Sequence, residues 1–349
     1  MQKCIQKDNR ITAFAFGGDR AIKYRNMNVL YILGNGFDKA QGMKTSYPEF
    51  YQYLMNNTDN GSYLLQQLKK DINADKELWS DMEEAFGLFT SKVKTSTDLV
   101  NLYFELSDNL QDYLTFEDSA FAPTDKHKNK FVGDFIHPAK YMGATDRIRY
   151  NNFVKTVGAG HDISVMTLNY TDTLEKLLSL GTSTDKKIDG NNYFRQLIHV
   201  HGQLGDSIII GVDNESQIAN DNLRNNEDVK DILVKVQSNY TMKYTRHNIC
   251  ESLISNAHLI ILFGVSLGET DARWWKLIGE QFKKRNNICI VQHIYMPNEV
   301  SPTRKQLLGR IERSQRDNLM RKLDIKKEEW PKDTTDRLFF ITNSDAYKL

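Results

Sequence analysis

Four short stretches of the chain carry residue types suited to chemistry on a polar ligand, and each ends or follows an apolar run. The first, Gly34-Asn35-Gly36-Phe37-Asp38, follows Val29 to Leu33. A strand ending in glycines lets the backbone approach a ligand, and the amides of a following helix then face an anion such as a diphosphate. The third glycine of the usual dinucleotide fingerprint is missing, so a plain glycine turn stays open as a reading. In the second stretch, Thr167 to Asp172, Asn169 can bind a ribose hydroxyl, orient a water or simply form a turn. Asp172 precedes an amphipathic segment, Thr173 to Leu180, and reads as a ligand contact or as a helix cap.

The third stretch is His199-Val200-His201-Gly202. In a continuous strand both imidazoles point to one face. Histidine titrates near neutrality and can act as a general base, and Gly202 leaves room beside His201. His199 reads as a packed histidine. The His-x-His spacing also suits a metal, yet no nearby cysteine or carboxylate cluster completes a site, so no metal is expected. The fourth stretch, Gly264-Val265-Ser266-Leu267-Gly268, makes a phosphate- or ribose-sized turn with backbone amides and the Ser266 hydroxyl available. It also spells a nucleophile elbow. Asp271 and His293 follow in the order a serine hydrolase needs, but too close behind the serine.

These residues need strands to position them. The apolar runs Val29–Leu33, Ile163–Leu168, Leu197–Val200, Ile208–Ile210, Leu259–Phe263 and Ile288–His293 are rich in Ile, Val and Leu without polar alternation. That pattern fits parallel strands covered on both faces. The gap between the first two runs is helical in pattern over Tyr63–Ile72, Leu78–Lys94 and Thr97–Phe116, with a loop expected over Asp118–Gly133. A second helical segment is expected over about 214–255. The organisation that follows is an irregular leader over 1–26 with Met27 as a candidate start, an α/β domain over 27–330, and a tail over 331–349. The helical insertion spans about 52–160.

Composition narrows the classes of function. Lys and Arg total 46 against 45 Asp and Glu, a net charge of +1, which gives no global pull toward nucleic acid or an anionic membrane. Lys283-Lys284-Arg285 and the stretch from Arg310 to Lys327 read as solvated helix faces. The three cysteines, Cys4, Cys250 and Cys289, form no C-x-x-C pair, which excludes a cysteine zinc ribbon and fits a reducing compartment. No apolar run reaches membrane-spanning length and the start has no apolar signal core, so a cytoplasmic protein is expected.

In combination, Gly34 to Asp38, Gly42 to Phe50, Leu78-Trp79-Ser80-Asp81-Met82-Glu83-Glu84, His199 to Gly202 and Phe263 to Asp271 resemble the AbiH family of phage abortive-infection proteins, from Met27 to about Tyr295. The order of the motifs also resembles, more distantly, the sirtuin (SIR2-like) NAD-binding fold. Sirtuins carry a Gly-Ala-Gly turn, a Thr-Gln-Asn-Ile-Asp strand end, a His-Gly strand end and a Gly-Thr-Ser-Leu turn. The resemblance implies a Rossmann-like three-layer sheet with a large helical insertion. It implies an NAD-type pocket walled by Gly34, Asn35, Gly36, Phe37, Asp38, Asp172, Gly264, Ser266 and Leu267, with Asn169 placing ribose or water and His201 as base.

Three departures shape the expected activity. Asp172 stands three positions after Asn169 where the sirtuin aspartate stands two, the zinc ribbon is absent, and the helical segment from Ser62 to Phe116 has no sirtuin counterpart. The displaced Asp172 leaves its nicotinamide contact open, and the loss of the zinc module argues against protein deacetylation. An open site without a peptide channel would let water attack the anomeric carbon, which is NAD hydrolysis. The alternative is a non-catalytic nucleotide sensor whose insertion binds a phage or host protein. The oligomeric state stays open, a homo-oligomer included.

Overall fold

The computed structural model describes residues 26–57, 61–158, 160–181, 185–296 and 307–348. The expected leader and Cys4 lie outside these apart from Asn26. Seven strands form one sheet: β1 (Met27–Leu33), β2 (His161–Thr167), β3 (Lys186–Asp189), β4 (Asn192–His199), β5 (Leu259–Phe263), β6 (Cys289–Ile294) and β7 (Leu338–Thr342). Their order is β3-β4-β2-β1-β5-β6-β7. All neighbours are parallel except the β3–β4 hairpin at one edge. From β1 the chain winds first to one side and later to the other, so the winding reverses beside β1. In such sheets ligands bind outside the carboxyl ends at that point.

Alternation along β1 shows why this is a three-layer, Rossmann-like α/β fold. Val29, Tyr31 and Leu33 pack with Phe131, Phe135, Tyr150 and Leu174 on one face, whereas Leu30 and Ile32 pack with Ile254, Trp274, Ile278 and Leu319 on the other. Each face is thus sealed by helices, and an unbroken apolar run is the sequence that satisfies both. A third core holds Phe50, Leu68, Trp79, Phe86, Leu106 and Leu233, from the helices between β1 and β2 and from the segment after β4. Tyr170 and Ile210 belong to it, and both lie just past the carboxyl ends of strands. The helical mass therefore abuts the edge where the four motifs end.

Several expected elements differ. Ile208–Ile210 is not a strand. Ile208 and Ile210 sit in the third core, and the backbone is held by His201 O and the hydroxyls of Tyr170 and Tyr103. The loop expected over Asp118–Gly133 is instead the end of the helix Ser96–Ala120 followed by the helix Asp125–Phe135. Thr124 accepts from His127 N, and the His127 ring returns to Thr124 N, a capping box hidden behind a polar sequence. The supposed tail carries β7, whose Leu338, Phe339 and Ile341 are buried. Arg337, itself buried, donates to Phe282 O and Arg285 O and anchors its start. Edge strand β3 was also not foreseen, because its Lys-Lys-Ile-Asp sequence is mostly exposed.

Candidate functional site

A cavity of about 400 Å³ opens at the carboxyl edge beside β1, and residues from all four motifs line it. That volume lies in the range of small-molecule sites, roughly 300–1,000 Å³. Its floor comes from the turns after β1, β2 and β5. Gly34 N donates to Phe263 O at 3.0 Å and Gly36 N to Gly264 O at 2.9 Å. A Cβ on Gly36 would stand 2.5 Å from Gly264 Cα, and Gly264 has φ +69°. The glycines are therefore required for two turns to pack on each other. The Gly34 and Gly36 amides, and that of Phe37, which donates to Gly34 O, are already used. These three amides are therefore not free for the diphosphate expected at this turn.

Asn169 and Asp38 complete the floor. Asn169 Nδ2 donates to Gly34 O at 3.1 Å, tying the turn after β2 to the turn after β1. Asp38 is 1% exposed. Its Oδ2 accepts from Thr171 Oγ1 at 2.6 Å, and its Oδ1 has no partner among the described residues. Burial disfavours the carboxylate and pushes Asp38 up to about 6, although the side chains of Thr171, Thr173 and Asn169 favour the charged form.

The roof is ionic. Strand β4 ends at His199, so His201 lies on a turn and the two imidazoles do not share a face. His201 is 3% exposed, and its Nε2 meets Asp271 Oδ1 at 2.9 Å. A carboxylate only accepts, so Nε2 carries the proton and, in the neutral ring, Nδ1 holds the lone pair. That Nδ1 has no partner among the described residues. Asp271 reaches it from the β5 side, across the ends of β1 and β2. Lys235 Nζ donates to Glu83 Oε2 at 2.7 Å, to Thr270 O at 3.0 Å and to Asp271 Oδ1 at 3.1 Å. Burial alone would raise Asp271, but Lys235 and His201 outweigh it and hold Asp271 well below the usual carboxylate range. Burial raises Glu83, with Lys235 opposing. Burial would lower Lys235, but Asp271 and Glu83 outweigh it and keep its ammonium charged.

Of the residues expected to form the site, Gly34, Asn35, Asp38, Asn169, His201, Gly264 and Ser266 line one cavity. Phe37 instead packs against Phe131 and Phe263, and Leu267, at φ +56°, is buried in the core beneath the second turn. Gly36 serves the packing of the turns. Asp172 holds the N-cap position of the helix Thr173–Leu178 without a side-chain capping bond, and it is not among the residues lining the cavity. Its carboxylate accepts from Gln203 at 2.7 Å and its amide donates to Asp118 at 3.0 Å. His199 is held by Asn169 O and Glu175, and one ligand atom each of Asp172, Glu175 and His199 lies within 4.8 Å of the others. Carboxylates thus do approach the His-x-His pair, though from a helix read as merely amphipathic. His293 packs on Phe263 and Tyr347 and its Nδ1 meets Ser344, so no hydrolase triad forms with Ser266.

Glu83 and Lys235 were missed as site residues. Glu83 lies in the tryptophan-acidic stretch Leu78 to Glu84, one of the motifs that carry the AbiH resemblance. Lys235 follows the buried pair Leu233-Val234, where a charge needs a buried partner, and that was the available signal.

The fold and the cavity define a doubly wound α/β protein with a polar cavity at its switch point, roofed by a helical insertion. The model of the bacteriophage abortive infection family AbiH matches residues 30–293, and the chain belongs to that family. Its role is accordingly in abortive infection of phage-infected bacteria. No curated protein matches the chain. No helix among the described residues is long and apolar enough to cross a membrane.

Proposed function

We propose that the cavity binds NAD or a related nucleotide and hydrolyses its nicotinamide–ribose bond. One observation carries the reading: His201 shares its Nε2 proton with Asp271, its Nδ1 has no partner among the described residues, and His201 and Asn169 line the same cavity. An imidazole fixed in this tautomer by a carboxylate is prepared to take a proton from water. Asn169, which lines the same cavity, offers a donor and an acceptor to place that water or a ribose hydroxyl. Asp81, Glu83 and Asp271 also line or roof the space. Carboxylates suit the positive charge of the nicotinamide ring and of the oxocarbenium-like ribose that forms as it leaves.

In this reaction the C–N bond breaks and its electron pair neutralises the ring nitrogen. Water then attacks the anomeric carbon and gives its proton to His201 Nδ1. Hydroxyls of Thr45, Ser46, Tyr47 and Ser266 and the Lys39 ammonium, which also line the cavity, suit the rest of the nucleotide. Loss of NAD would halt an infected cell, which fits abortive infection.

The test is incubation of purified protein with NAD, alone and with phage lysate, following free nicotinamide. Wild type should release it, and His201→Ala and Asn169→Ala should each lower the rate at least about 100-fold, the scale of one positioned proton-transfer group. Binding of NAD without release under either condition would replace the enzyme by a nucleotide sensor.

A further inference from the structure

Asp38 presents a chemical question that nicotinamide release leaves unanswered. It is 1% exposed, lines the cavity, and pairs with no cation among the described residues. Its Oδ2 is taken by the Thr171 hydroxyl, which is steadied in turn by Thr173 Oγ1 at 3.1 Å. Its Oδ1 is the unpartnered atom. A buried carboxyl group without a cation favours its neutral form. The proton then belongs on Oδ1, because Oδ2 is already accepting. The result is an O–H donor with no acceptor among the described residues, at a residue lining the same cavity as the His201 base. Its tendency to stay protonated up to about pH 6 agrees with this placement.

Nicotinamide has no use for such a donor. Its ring nitrogen is already cationic in NAD, and the departing molecule is neutral once the C–N electrons arrive. An N-riboside of a neutral base differs, since a purine leaves as a poor anion unless a ring nitrogen is protonated. We propose that Asp38 is a catalytic acid that protonates a departing neutral base, so that the substrates of this cavity include purine nucleosides and nucleotides. This rests on the reading of the cavity as an N-ribosidase with His201 as base.

The step balances. The Asp38 Oδ1 proton moves to a purine ring nitrogen as the C–N bond breaks and its electrons enter the ring. Water adds to the anomeric carbon and its proton goes to His201 Nδ1. Free base and ribose product leave, and the two side chains return to their starting states by exchanging one proton through solvent. Thr171 acts as a positioning residue, since its hydroxyl occupies Oδ2 and so directs the acid proton to Oδ1.

The experiment measures free adenine, guanine and nicotinamide from ATP, GTP and NAD with wild type and Asp38→Asn. Asparagine keeps an acceptor for Thr171 and nearly the same volume, and a urea transition verifies that it folds. Wild type should release purine from ATP or GTP. Asp38→Asn should lower purine release at least about 100-fold more than it lowers nicotinamide release, as expected for loss of one general acid.

Thr171→Val should lower purine release more than nicotinamide release as well, in the same direction and to a smaller extent. Nicotinamide release by wild type without any purine release overturns the proposal and leaves the NAD reading standing. Equal loss of both activities in Asp38→Asn makes Asp38 structural and also overturns it. Purine release without nicotinamide release supports the acid and removes NAD as substrate. No base from any nucleotide removes both.

Discussion

At the floor of the cavity backbone meets backbone, with Gly34 and Gly36 packed on Gly264 and their amides donating across the gap. At the roof, Glu83, His201, Lys235 and Asp271 meet through side chains alone, each 13% exposed or less at its side chain. The floor draws on residues that end adjacent strands. The roof draws on four places far apart in sequence, two of them in the helical mass. The first arrangement is stabilised by close packing and neutral hydrogen bonds. The second removes charges from water and is tolerable only while every partner is present.

The sharpest way to break this contrast is Lys235→Met. It leaves Asp271 and Glu83 buried without their cation, and removal of one partner from a buried pair costs about 3–5 kcal/mol. The midpoint of urea unfolding should drop accordingly. A change under about 1 kcal/mol would show that the roof takes up water instead of depending on Lys235.

Gly264→Ala tests the floor. Its Cβ would lie 2.4 Å from Phe37 N at a backbone φ of +69°. Left-handed strain and overpacking together predict a loss of roughly 2–4 kcal/mol. The same denaturation series reads it, and a neutral result would mean that the two turns can part without cost.

Asp38→Asn sharpens the contrast from the other direction, because here the floor itself holds a charge problem. The folded-state value of about 6 lies above the ordinary 3.8, so the folded protein holds a proton that the unfolded chain releases. Stability from this group is full below about pH 4, falls as pH rises toward 6, and stays reduced above it. Asparagine removes that loss, so the variant should be more stable than wild type near neutrality by up to about 3 kcal/mol, and no more stable at pH 4. The difference between the two proteins is what to measure. Burial lowers His161 and His293 to about 4 and His247 to about 3, so these histidines lose stability in the opposite sense as pH falls below their unfolded value. A flat difference curve would place Asp38 in its charged form throughout.

Much of the fold was legible because parallel strands buried on both faces demand mainly apolar runs, and β1, β2, β5 and β6 are built around them. The same rule misled at Ile208–Ile210, where the burying partner is a helical core and not a second sheet face. It was silent for β7, set after polar sequence, and for the polar hairpin strand β3. Within the site, Asn169, His201 and the glycines stood out because they interrupt apolar runs at strand ends.

What the sequence by itself determined is the set of strand ends, since local residue type and periodicity decide where a buried strand stops and which turn follows it. It marked His201 and Asn169 as chemistry-bearing, and the family motifs from Gly34 to Asp271. The tertiary structure alone decided their partners: that Asp271 and not a neighbouring imidazole holds His201, that Lys235 and Glu83 close the roof, and that Leu267 and Phe37 support the turns from beneath. The reason is physical. Turn chemistry acts over a few residues, whereas the pairing of buried charges depends on which surfaces the folded layers bring within about 3 Å, and no local pattern records that distance.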